Sequence, residues 1–193
     1  GSQVRAYFDA MRAGAGHLEL RREPLDLAAR AEATIHGFAA RSPAHQFRLA
    51  VDPGLPPALA DPERVDDVLT NLLDNAVKYA PEGGPIEVTL TAPRAGPGNA
   101  AVQVSVRDEG PGISPGEQGQ IFERFYRLDR LMTRQSGGAG LGLYLCRSYV
   151  EGMGGQIWVE SSAGHGSTFH FTLPTAPAET TTRSNPKPEV GSP

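Results

Sequence analysis

A glycine-rich loop between positions 137 and 143 has clear potential for binding chemistry. Four of its first six residues are glycine, which allows positive φ angles and lets the backbone approach a ligand closely. An apolar stretch with helical spacing follows, and the N-terminus of a helix favours anions through free N–H groups and the helix dipole. A loop of this kind suits phosphate, and its candidate binding residues are Gly138, Gly140, Leu141 and Gly142.

A second segment carries a polar helical face. Asn71, Asn75 and Lys78 recur at i, i+4 and i+7 and therefore share one side of a helix. Leucine, alanine and valine between positions 69 and 77 form the opposite, apolar side. Amide oxygens are hard ligands that suit Mg²⁺, and a lysine supplies a point charge for phosphate. This face predicts a site for magnesium-bound phosphates.

A third segment places a carboxylate at the end of a strand. Valine alternates with polar residues over 102–106, and Asp108 follows, with Gly110 and Gly112 in the turn behind it. A carboxylate in a pocket can accept a hydrogen bond from the exocyclic amine of a purine. The three segments together predict a nucleotide site.

These segments resemble the conserved boxes of a known family. In order and spacing, 71–79 is similar to the N box, 108–112 to the G1 box, 121–127 to the F box and 138–143 to the G2 box. The boxes belong to the ATP-binding catalytic domain of bacterial sensor histidine kinases. The wider ATPase group, called GHKL, includes type II topoisomerases and heat-shock chaperones. The resemblance covers about residues 20 to 174.

The resemblance implies a fold and a set of roles. The fold is an α/β two-layer sandwich of the Bergerat type, with helices on one face of a mixed β-sheet. Asp108 would accept from the adenine amine and Asn75 would bind Mg²⁺. Tyr79 would lie by the ribose or base, Lys78 and the G2 glycines would contact phosphate, and the implied cofactors are ATP and Mg²⁺.

The segment of about 113–137 would form a lid over the nucleotide. It carries arginines at spacings of three, three and four residues: Arg124, Arg127, Arg130 and Arg134. Arg127 matches the arginine that contacts phosphate in the family, whereas a solvated face is the simpler interpretation of Arg130 and Arg134. Phe122 and Phe125 are expected to pack the lid against the core.

Two positions depart from related patterns. Asn71 stands where the chaperone and topoisomerase branch has a catalytic glutamate, and an amide cannot act as a general base at neutral pH. This favours phosphoryl transfer to a partner over autonomous hydrolysis and follows the histidine-kinase pattern. Ala139 replaces the hydroxyl residue that is common in the G2 box, so one side-chain contact to phosphate is expected to be missing.

No histidine of this chain matches the phosphoacceptor pattern. The sequence has five histidines, none followed by an acidic residue: His17, His36, His45, His165 and His170. The acceptor is therefore expected on a dimerisation and histidine-phosphotransfer domain, either of the same protein or of another. A response regulator receiver domain would take the phosphate afterwards.

Residues 1–20 are expected to be the end of a dimerisation helix and a linker, 21–174 the catalytic domain, and 175–193 a disordered, Pro/Thr/Ser-rich tail. Local patterns predict helices from 26 to about 40 and from 61 onward, each with an aspartate cap. Strands are predicted at 46–52, 86–90 and 102–106 and in a hairpin of 156–160 with 167–173.

Composition sets further limits. The net charge of −4 argues against a nucleic-acid partner, and the single cysteine, Cys146, excludes an internal disulfide and is expected to be a small buried residue. No apolar run reaches the roughly 20 residues of a membrane helix. We expect a cytoplasmic domain, monomeric alone, whose parent is a homodimer that an inner membrane could anchor. An anti-sigma-factor-type serine/threonine kinase and a non-catalytic nucleotide-sensing module remain as alternatives.

Overall fold

A layer of β-strands and a layer of α-helices make up the chain. The computed structural model describes residues 2–14, 18–92, 100–127 and 139–177. The helices are α1 Ser2–Gly14, α2 Leu27–Arg41, α3 Pro62–Tyr79, α4 Pro115–Gln118 and α5 Gly142–Gly152. The strands are β1 Glu23–Leu25, β2 His45–Val51, β3 Ala58–Ala60, β4 Gly84–Thr91, β5 Ala101–Asp108, β6 Ile157–Ser161 and β7 Ser167–Pro174.

Five strands form a mixed sheet in the order β2-β4-β5-β7-β6. The pair β2–β4 is parallel, and the other three pairs are antiparallel. Side chains alternate across the sheet: Val104 and Phe171 are opposite each other in register and buried, whereas Ser105 and Arg107 lie on the less buried face. β1 and β3 form a separate antiparallel pair.

The helices α2, α3 and α5 pack on the apolar face of the sheet. α3 buries six of its residues there, and its apolar periodicity matches the one expected from the sequence. Its first turn is stabilised by Asp61, whose carboxylate accepts from the Arg64 N–H, and by Pro62 at the start of the helix. Asp26 caps α2 in the same way. These caps and strands confirm the predicted mixed α/β sandwich.

Some elements differ from the sequence-based expectations. β3 was not expected, because three residues are too few to show a period. The chain beyond β7 still forms backbone hydrogen bonds at Thr175 and Ala176. The loop 93–99, the last ten residues of the expected lid (128–137), Gly138, His17 and the tail from 178 lie outside the described residues.

α1 packs against α5, and its residue Ala10 is fully buried. No helix in the described ranges is long and apolar enough to span a membrane.

Candidate functional site

Asp108 is a buried carboxylate at the end of β5. Only 5% of the residue is exposed. Its Oδ1 accepts from the Gly110 N–H at 2.8 Å, and the Ser167 N–H also donates to the carboxylate. Burial raises the pKa of Asp108 above its ordinary value, and these two hydrogen bonds offset only part of that rise. A carboxylate has about four acceptor positions, so it can still accept from a bound amine.

The G1 loop, which comprises residues 109–113 after β5, packs closely on its neighbours. A Cβ at Gly110 would lie 2.9 Å from the Tyr79 carbonyl oxygen, at the end of α3. Gly112 has φ +68°, and a Cβ there would lie 2.0 Å from the Ser162 carbonyl oxygen. No side chain fits at either position without movement of the backbone. The glycines thus bring the G1 box against the N box and the β6–β7 turn.

The N box and the G2 box meet at Asn71. A Cβ at Gly142 would lie 2.7 Å from Asn71 Oδ1, and Asn71 Nδ2 donates to the Asp67 carbonyl oxygen at 2.8 Å. The first residue of α5 therefore lies directly on the polar face of α3. Leu141 precedes α5 and provides no side-chain cap, which leaves the first N–H groups of the helix for a ligand.

The F box and the G2 box are joined through Gly140. The Phe125 N–H donates to the Gly140 carbonyl oxygen at 3.0 Å, and a Cβ at Gly140 would lie 2.9 Å from the Tyr126 carbonyl oxygen. Gly140 has φ +68°. These contacts, with those of Gly110 and Gly142, assemble segments of all four boxes into one region.

The remaining candidate residues take different positions. Asn75 lies half-buried one turn after Asn71 on α3. The Lys78 Nζ is 5.0 Å from the centre of the half-buried Tyr79 ring. Arg127 is exposed. Gly138 lies outside the described residues, as do Arg130 and Arg134. Leu141 is buried, so only its backbone is available to a ligand.

The two F-box phenylalanines behave differently. Phe122 is buried and packs edge-to-face on Phe169, with ring centres 6.5 Å apart, which confirms a packing role. The same expectation is wrong for Phe125, which is 53% exposed and has φ +66°. The physical reason is the backbone: Phe125 lies in the left-handed region while its N–H bonds Gly140, and its ring contacts Arg124 instead of the core.

Ser167 was not predicted as a site residue. It is buried opposite Asp108 in register, and its N–H holds that carboxylate. Two nearby residues were not predicted either: Ser161 accepts from the Ile113 N–H in the G1 loop, and Gln118 donates to the Ser161 carbonyl oxygen at the end of β6. Their residue types and spacing in the sequence give no signal, since each contact joins segments far apart in the chain.

A cleft of about 840 Å³ lies elsewhere, beside α5 and the end of α1. Its lining includes Leu20, Phe122, Arg124, Tyr144 and Arg147, and it contains none of the predicted nucleotide-site residues. Within the described ranges, no group of three or more His, Cys, Asp or Glu side chains could hold a metal ion.

Comparison with known proteins defines the class to which this fold and site belong. Residues 60–177 match the family model described as histidine kinase-, DNA gyrase B- and HSP90-like ATPase. The match covers the N, G1, F and G2 boxes. This chain belongs to that ATPase family.

The relatives narrow the class. The adaptive-response sensory kinase SasA of Synechococcus sp. (strain JA-3-3Ab) is 40% identical over 175 residues, which are 90% of this chain and 45% of the relative. SasA of Gloeothece citriformis is 48% identical over 120 residues, 62% of this chain and 29% of the relative. The chain thus spans less than half the length of these relatives.

Solved structures agree. Full-length ShkA in complex with AMPPNP matches with a TM-score of 0.78 and 33% identity, over 92% of this chain and 36% of that one. The mycobacterial sensor histidine kinase MprB matches with a TM-score of 0.66 and 29% identity, over 81% of this chain and 99% of that one. The chain is an ATP-binding catalytic domain of the sensor-histidine-kinase type.

Proposed function

We propose that this domain binds ATP with Mg²⁺ and transfers the γ-phosphoryl group to a histidine on a helical domain outside the chain. The observation that carries the proposal is the assembly of the four boxes around one region. The buried Asp108, the amide face of α3 and the start of α5 are linked there through Gly110 and Gly142.

Asp108 supplies the base recognition. The Gly110 and Ser167 N–H groups take two acceptor positions of the carboxylate and hold it in place. The remaining positions accept from the exocyclic amine of adenine. Guanine carries a carbonyl oxygen at the corresponding atom, which a carboxylate repels. The site therefore favours adenine nucleotides.

The phosphates fit the start of α5. Its uncapped N–H groups favour an anion, and Lys78 and Arg127 add positive charge from the N and F boxes. Asn75 offers an amide oxygen of the kind Mg²⁺ accepts. When bound, Mg²⁺ supplies charge neutralisation at the phosphate oxygens, and the chain supplies positioning.

Asn71 supports transfer over hydrolysis. Its Nδ2 donates a hydrogen bond to the Asp67 carbonyl oxygen, and its Oδ1 lies against Gly142. An amide in this position has no basic group with which to activate water. Phosphoryl transfer then depends on a nucleophile that a partner brings to the site.

The partner we propose is a dimerisation and histidine-phosphotransfer domain, followed by the receiver domain of a response regulator. His45 bonds the Ala80 carbonyl oxygen, His165 bonds the Ala163 carbonyl oxygen and His170 stacks on Trp158, so these histidines have structural contacts instead. We propose that residues 1–20 are the end of the dimerisation helix and a linker, and that the parent is a homodimer acting in the cytoplasm.

The test begins with calorimetric titration of ADP and a non-hydrolysable ATP analogue, with and without Mg²⁺. We expect Asp108→Asn to weaken ADP binding about ten- to a hundredfold, because a hydrogen bond to a charged group is worth roughly 1.5–3 kcal/mol. The matched control is Glu109→Gln, which changes the adjacent, exposed carboxylate and should leave affinity unchanged. No binding to the unmodified chain would refute the proposal.

Transfer is tested next with γ-labelled ATP and a supplied histidine-bearing helical domain. Label on that domain that is stable in alkali and lost in acid is the behaviour of phosphohistidine. Acid-stable label would instead indicate a serine or threonine acceptor. Strong label on the isolated chain would also contradict the proposal.

A further inference from the structure

A set of hydrogen bonds outside the four boxes holds the G1 loop in place. It centres on Gln118, the last residue of α4, and on Ser161, the last residue of β6. We call these two residues the Gln118–Ser161 clasp. The clasp joins three segments: the G1 loop, the first helix of the connection to the G2 box, and the β6–β7 hairpin.

Ser161 uses its whole hydrogen-bonding capacity here. Its Oγ accepts from the Ile113 N–H at 2.8 Å and donates to the Gly166 carbonyl oxygen at 2.7 Å. It is also 3.0 Å from Ser167 Oγ. A hydroxyl has one proton and two acceptor positions, so the Ser167 hydroxyl is the donor in that contact. Ile113 is buried, and no solvent replaces this bond readily.

Gln118 makes two bonds with one amide group. Its Nε2 donates to the Ile113 carbonyl oxygen at 3.1 Å and to the Ser161 carbonyl oxygen at 2.7 Å. The NH₂ group has two protons, one for each carbonyl. Gln118 therefore ties the C-terminal end of the G1 loop to the end of β6 from the side of α4.

The clasp is connected to Asp108 through the sheet. Ser161 is opposite Ser167 in register, and Ser167 is opposite Asp108. The Gly164 N–H donates to the Pro111 carbonyl oxygen at 2.7 Å. A Cβ at Gly166 would lie 2.1 Å from the Asp108 carbonyl oxygen. The hairpin thus supports the G1 loop along its length, and that loop includes the Gly110 N–H that holds the carboxylate.

We propose that Gln118 and Ser161 are positioning residues for the base pocket. They keep the G1 loop in the conformation in which Asp108 can distinguish adenine from guanine, and they link α4 to that conformation. This inference rests on the proposed function of Asp108. Neither residue touches the base; both act through the backbone of Ile113 and the β6–β7 hairpin.

The test is Gln118→Glu, which exchanges a donor for an acceptor of the same shape. At pH about 7.5 a carboxylate would face two carbonyl oxygens, and we expect ADP affinity to fall about tenfold. In Gln118→Glu the half-buried position and the two carbonyls raise the pKa of the new carboxyl group, and when protonated it donates one of the two bonds again. At pH about 5.5 the affinity gap to the unmodified chain should therefore shrink to about threefold or less.

The matched control is Gln120→Glu, the same exchange two residues further at an exposed side chain. It should leave ADP affinity within about twofold at both pH values. Base selectivity is the second readout. The ratio of ADP to GDP affinity should fall in Gln118→Glu and in Ser161→Ala, whereas a general weakening of the fold lowers both affinities together and preserves the ratio.

Two outcomes overturn the inference while leaving the proposed function standing. Either Gln118→Glu and Ser161→Ala bind ADP like the unmodified chain, or they lose ADP and GDP affinity in equal proportion. Failure of the unmodified chain to bind ADP overturns the proposed function and this inference with it. The inference is supported if Gln118→Glu loses ADP affinity more at pH about 7.5 than at pH about 5.5 and if its ratio of ADP to GDP affinity falls.

Discussion

A partly buried charge cluster joins α1 to the rest of the domain, and we predict that Asp9→Ala destabilises the protein. The Asp9 carboxylate accepts from Arg64 at 3.2 Å and from the Tyr149 hydroxyl at 3.0 Å. Arg64 also bonds Asp67, and its guanidinium lies 4.7 Å from the centre of the Tyr149 ring. The cluster thus connects α1 to α3 and α5.

Protonation states in the cluster suit this arrangement. Burial raises the pKa of Tyr149, so its hydroxyl keeps its proton and donates to Asp9. Burial alone would lower the pKa of Arg64, but Tyr149, Asp9 and Asp67 outweigh it and the pKa is raised. The guanidinium is therefore charged at any pH at which the protein is folded.

The magnitude follows from burial. The Arg64 and Asp9 side chains are only 15% and 14% exposed. Hydrogen bonds to a charged group contribute roughly 1.5–3 kcal/mol. Arg64 keeps Asp67 as a partner and some contact with water, so we expect Asp9→Ala to lower the free energy of unfolding by about 2 kcal/mol.

A second ion pair offers an internal comparison. Asp66 pairs with Arg30 at 2.9 Å, but these side chains are 42% and 40% exposed. Exposed pairs contribute about 0–1 kcal/mol, so Asp66→Ala should have a small effect. Both changes remove an aspartate from an arginine, but the Asp9 pair is more buried and Asp9→Ala also removes the bond from the Tyr149 hydroxyl.

Thermal unfolding measures the difference. At about 2–4 °C per kcal/mol for a chain of this size, Asp9→Ala should lower Tm by about 4–8 °C, and Asp66→Ala by no more than about 4 °C. A helix of the length of α1 is only marginally stable alone, so Asp9→Ala should also reduce the helical circular dichroism signal if α1 detaches from α3 and α5. Equal Tm shifts for the two variants would refute the argument from burial.

Three further predictions concern the site and the core. Gly142→Ala should weaken nucleotide binding, because the new Cβ would lie 2.7 Å from Asn71 Oδ1; titration of Gly116→Ala, where nothing lies within 4 Å, is the control. Burial raises the pKa of Asp108 in the folded domain. The carboxyl group therefore contributes to the stability of the ligand-free domain at low pH, and that contribution is lost as the pH rises through the raised pKa. Asp108→Asn should flatten the corresponding part of a curve of Tm against pH. Cys146 is fully buried and its pKa is raised by burial, so thiol reagents should label it only as fast as the protein unfolds; rapid labelling under native conditions would contradict this.

The placement of the candidate site residues on their helix and strand could be predicted from the sequence because it is encoded in local spacing. Asn71 and Asn75 share a face of α3 because of the helical period, and Asp108 ends β5 because the valine alternation stops there. Caps at Asp26 and Asp61 set the starts of α2 and α3. None of these inferences needs knowledge of residues distant in the chain.

The supporting contacts could not be predicted in this way. Gln118 and Ser161 are 43 residues apart, and their bond exists only because β6 ends beside the G1 loop. Phe125 shows the opposite error: its apolar side chain suggested packing, but the left-handed backbone beside Gly140 leaves the ring exposed. In both cases the decisive geometry comes from a distant segment of backbone.

The site glycines combine both kinds of information. The sequence predicts them from the approach of a ligand, yet Gly110, Gly140 and Gly142 each lie against another part of the protein where a Cβ would come within 3 Å of an existing atom. Gly110 contacts the N box, Gly142 contacts Asn71, and Gly140 contacts the F box. These glycines are therefore required to bring the boxes together before any ligand binds. A substitution at one of them should disturb the assembly of the site itself, so its effect on binding cannot be assigned to a lost ligand contact alone.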